Sequence, residues 1–108
     1  MTDEEYRQAL VEGFHEAIFN ISGEPILGTT KKALHIRAGP LLDAAIAIVA
    51  IYLSTDADLR TSAGLKHSSR QVAELYRKYV RAVQGDGGLS RHLKMPVVSY
   101  EDDGGTKQ

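Results

Sequence analysis

Residues 41–53, reading LLDAAIAIVAIYL, form an apolar run broken only by Asp43, and this run limits the folds open to the chain. Its thirteen residues would make about 20 Å of helix, well short of the roughly 20 residues that a bilayer crossing takes. The β-branched side chains of Ile46, Ile48, Val49 and Ile51 suit a strand, but four alanines and the length of the run favour a helix. A helix that is apolar nearly all round must be covered on every side. In 108 residues the other helices can cover only about two-thirds of it, so a partner subunit is the expected source of the remainder. Ile46, Val49, Ala50 and Leu53 are the candidate oligomer interface.

The rest of the chain reads as further helices. Thr2-Asp3-Glu4-Glu5 has the form of a capping box, with three carboxylates suited to the positive end of a helix dipole. Tyr6, Leu10, Phe14, Ile18 and Ile21 then recur in steps of four and three along one face. Gly23 fits a left-handed cap and Pro25 bars continuation, so helix 1 spans about residues 3–22. Thr29 or Thr30 can cap a second segment, 29–39, which Gly39-Pro40 interrupts. Pro40 then suits the first turn of a helix over 40–54, where the dipole accommodates Asp43. After the cap-rich stretch 54–58, a last helix over 61–84 ends at Gly85-Asp86-Gly87-Gly88.

The expected fold is therefore all-α: a small bundle of three to four helices, dimeric, with an extended or disordered C-terminal tail. Residues 1–88 form the helical domain and 89–108 an arm. The arm carries enough apolar residues to lie across the body, and 101–105 reads as a solvated acidic end.

Charge is divided unevenly. Residues 1–28 carry six acids against Arg7, a net of −5, whereas 60–94 carry eight bases against Glu74 and Asp86, a net of +6. On the last helix Lys66, Arg70, Arg77 and Arg81 fall in a stripe about 60° wide, apart from an apolar face about 140° wide. The acidic first helix and the basic last helix should attract each other, within one chain or between two, at about 0–1 kcal/mol per pair. The stripe is also a candidate partner- or phosphate-binding face, the less favoured of the two readings.

Chemical sites find little support. Glu12 and His15 have the spacing of a di-metal helix motif, but such a site needs a second motif and two further carboxylates. His15, His35, His67 and His92 lie on separate segments, outside any zinc-ligand pattern. His67 and Ser68 diverge by about 100° on a helix, which is not a base–nucleophile geometry. The absence of cysteine excludes disulfides and thiolate sites and fits a reducing compartment. The start MTDEEYRQ lacks the pattern of a secretory signal, so a cytoplasmic location is expected.

These readings lead to a non-enzymatic helical protein–protein interaction or regulatory module that acts as a homo-oligomer. No cofactor or metal is expected. Its partners are a second copy and another protein, with no membrane. The alternative is a small nucleic-acid-binding regulator that uses the basic face of the last helix.

Overall fold

The computed structural model describes residues 1–100, the side chains of Ser99 and Tyr100 excepted. Over these residues the chain is mostly helical, with four helices and a small three-stranded sheet. In order these are α1 (Asp3–Ser22), β1 (Gly23–Pro25), β2 (Lys32–Arg37), α2 (Ala38–Leu53), a 3-10 turn (Ala57–Arg60), α3 (Ser62–Gly85), α4 (Leu89–Leu93) and β3 (Val97–Tyr100).

α1 opens on the expected capping box. The Thr2 amide donates to Glu5 Oε1 at 2.8 Å and the Glu5 amide donates to Thr2 Oγ1 at 3.1 Å. The Thr2 backbone amide first, and the Thr2 hydroxyl second, hold the Glu5 carboxyl below the usual carboxylate range. Gly23, read as a left-handed cap, instead has extended backbone (φ −79°, ψ 130°) and starts β1. Its small size still matters, because a Cβ there would stand 2.7 Å from the Phe19 carbonyl oxygen.

The sheet corrects the all-α expectation, and the correction centres on segment 29–39. Instead of a second helix, 32–37 forms the central strand. The Thr29 hydroxyl closes a turn rather than capping a helix: it donates to the Ile26 carbonyl at 3.0 Å and accepts from the Lys31 amide at 3.1 Å. Gly28, at φ 80°, supplies the left-handed position of that turn. β1 and β2 are thereby brought antiparallel, with Gly23 opposite Leu34. β3 adds in parallel on the other side of β2, with Leu34 opposite Val97, and the Leu34 amide donates to the Pro96 carbonyl at 3.0 Å. The last part of the described chain thus lies on the body as a sheet strand, while 101–105 falls outside the described residues.

α2 begins at Ala38, two residues before Pro40. Proline therefore sits in the first turn, where its missing N–H takes no hydrogen bond from the helix. This start moves Asp43 beyond the first turn, so the dipole does not account for it; its side chain is exposed. α3 keeps its expected span to within a residue at each end. The Thr61 hydroxyl caps it by accepting from the Gly64 amide at 3.0 Å. The chain then turns at Gly87 and Gly88, both at positive φ, into the short α4.

Ala33 and Leu34 are the buried apolar residues of the core. α1 contacts β1 and β2, and along it Val11, His15 and Ile18 are half-buried. That line lies about 100° around the helix from the Tyr6–Leu10–Phe14 stripe, which stays exposed. Gly13 on this helix has open space where a Cβ would stand. Gly13→Ala is accordingly expected to stabilise the fold by about 0.5–1 kcal/mol, read as a raised thermal midpoint.

Candidate interaction surface

α2 is the principal surface of the molecule. Every residue from 40 to 53 is exposed, including Leu42 at 50%, Ile51 at 63% and Tyr52 at 78%. Within the chain α2 packs chiefly against β2. Ile46, Val49, Ala50 and Leu53, the candidate oligomer interface, are all exposed on it. α3 presents a second apolar strip, with Leu65, Val72, Leu75 and Tyr76 about half-exposed.

The openness has a measurable scale. A compact chain of 108 residues has a radius of gyration of about 13 Å. This one has 16.6 Å, with extents of 54 × 41 × 26 Å. It exposes 8736 Å², against about 5900 Å² for a compact monomer of its mass. Granting full exposure to the eight residues outside the description still leaves an excess of about 1900 Å².

Lys66, Arg70, Arg77 and Arg81 are exposed along α3, and none of the four forms an ion pair among the described residues. α1 and α3 meet where the Arg7 guanidinium lies 5.6 Å from the centre of the Tyr79 ring. Arg7 is itself paired with Glu4 at 3.6 Å. Among the described residues no carboxylate of α1 pairs with a base of α3. The attraction expected between the two helices is thus not realised within the chain.

The candidate chemical groups stay apart. His15 stacks on Phe19, one turn along α1, with ring centroids 6.4 Å apart. His35 Nε2 stands 3.4 Å from Glu24 Oε2 across the β1–β2 hairpin, and His92 Nδ1 stands 3.8 Å from Asp86. The Ser69 hydroxyl donates back to the Leu65 carbonyl at 2.9 Å. Among the described residues no three histidine or carboxylate side chains gather as a metal site would require. No helix there is long and apolar enough to cross a membrane. An open depression on α3 is lined by Ser62, Leu65, Lys66, Ser69 and Arg70.

Comparison with family models, curated proteins and solved structures gave no match.

Proposed function

We propose that the chain is a non-enzymatic helical module that acts as a homo-oligomer and serves to bind another protein. The observation carrying this reading is the exposure of every residue from 40 to 53 on α2, an apolar helix that packs within the chain chiefly against one strand of a small sheet. Leaving that surface in water costs about 25 cal/mol per Å² of apolar area, and association removes the cost. The apolar strip of α3 supplies further contact area for a partner protein. Sedimentation velocity of the full chain tests the oligomer, with a mass of at least twice 11.8 kDa expected.

A second reading is favoured by the four basic side chains on α3, which reach solvent without carboxylate partners among the described residues. On that reading α3 docks on a phosphate backbone. Anisotropy with random duplex and single-stranded DNA, over a range of salt, separates the two. The protein-binding reading expects no salt-sensitive binding. If binding occurs, the double change Arg77→Glu, Arg81→Glu should reduce the slope of log K against log salt by about 2. An unchanged slope would remove the stripe from the interface.

A further inference from the structure

We infer that the occupant of α2 is the α2 helix of a second copy, seated along the stripe Leu42, Ile46, Val49 and Leu53. This inference rests on the homo-oligomer reading above and adds the surface that joins the copies.

The stripe advances in steps of four, three and four, the spacing of a helix–helix seam. At 100° per residue its members fall within about 60° of one another. A second stripe, Leu41, Ala44, Ile48 and Ile51, advances by three, four and three and lies about 150° away. A helix with two such seams is built to sit between two neighbours. The first stripe has the bulkier side chains and gains more from burial. It is therefore the one assigned to the dyad, and the second faces apolar strips such as that of α3. Asp43, the helix's one charged residue, stands about 90° from the centre of the first stripe, at an edge that water reaches.

The area agrees. Obligate homodimers bury about 2000–5000 Å² in total, or 1000–2500 Å² per chain. The excess exposure here, summed over the whole chain, is about 1900–2800 Å², a range that overlaps what one partner copy buries. A two-fold arrangement uses the same patch on both chains, as a self-complementary stripe requires. It also leaves the acidic α1 of one copy free to meet the basic α3 of the other, an attraction not realised within a single chain.

The test uses the absence of cysteine in this chain. Single substitutions Leu42→Cys, Ile46→Cys, Val49→Cys and Leu53→Cys are compared with Ala47→Cys in the full-length protein under air oxidation, alongside sedimentation velocity. A dimer is expected, with at least one stripe position forming an intermolecular disulfide about tenfold faster than position 47, because only residues near the dyad bring their Cβ atoms to bonding distance. Val49→Glu should reduce the mass to that of one chain. The cysteine series reports on the stripe even where that variant fails to fold. A monomer at about 100 µM would overturn both this inference and the homo-oligomer reading. A dimer in which position 47 cross-links as fast as the stripe would overturn the seam alone and leave the homo-oligomer reading standing.

Discussion

Leu34→Ala is expected to cost about 3 kcal/mol, a large fraction of what holds any small domain together. Leu34 is 1% exposed and lies on the central strand, opposite Gly23 on one side and Val97 on the other. Truncation removes transferred apolar surface and leaves a cavity that three joined strands cannot easily collapse. Urea unfolding at one fixed protein concentration measures the loss, since association makes apparent stability depend on concentration. Leu27→Ala is the control. Leu27 is 99% exposed beside the same hairpin turn, and its truncation should change stability by no more than about 0.5 kcal/mol. Equal effects at the two positions would mean that the sheet is not the core.

Gly64→Ala should destabilise by about 1–2 kcal/mol, although alanine is the better helix former by about 1 kcal/mol. A Cβ at Gly64 collides with the Asp58 carbonyl oxygen, because the 3-10 turn folds back on the first turn of α3. The obstruction is backbone, so relief requires moving the whole turn, including the cap in which the Asp58 amide donates to Asp56 Oδ1 at 2.9 Å. The thermal midpoint should fall by about 4–8 °C for each kcal/mol lost. The same exchange at Gly13 is expected to raise it. Opposite signs for one chemical change would separate packing from propensity, and a rise at Gly64 would show that the turn does not rest there.

What could be read from the chain follows from the range of each interaction. The capping box at Thr2 and Glu5, the Thr61 cap and the apolar run of α2 are local signals, and all three elements form where those signals point. β2 is different. Lys32–Arg37 is held by Gly23–Pro25 on one side and Val97–Tyr100 on the other, and strand preference is largely a matter of such neighbours. Thr29 offered a helix cap and a turn equally well; Gly28 was the signal that decides for the turn. On α1 the periodicity located the apolar stripe but not which edge of it is half-buried. The basic stripe of α3 was legible because helical periodicity alone places Lys66, Arg70, Arg77 and Arg81 together. The exposure of α2 was legible only as a shortage of cover, which a count of flanking helices reveals.

The pairing of β2 with β3 also bears on timing. Val97 lies sixty-three positions after Leu34, so the central strand acquires its second neighbour only after that much more chain has been made. At about 5–20 residues per second the β1–β2 hairpin waits roughly 3–13 s for β3, while a lone hairpin is marginal in water. α2 is made within that interval, apolar and uncovered. The nascent chain thus exposes an apolar helix before its core can close, and transiently exposed apolar surface of this kind favours aggregation and chaperone contact.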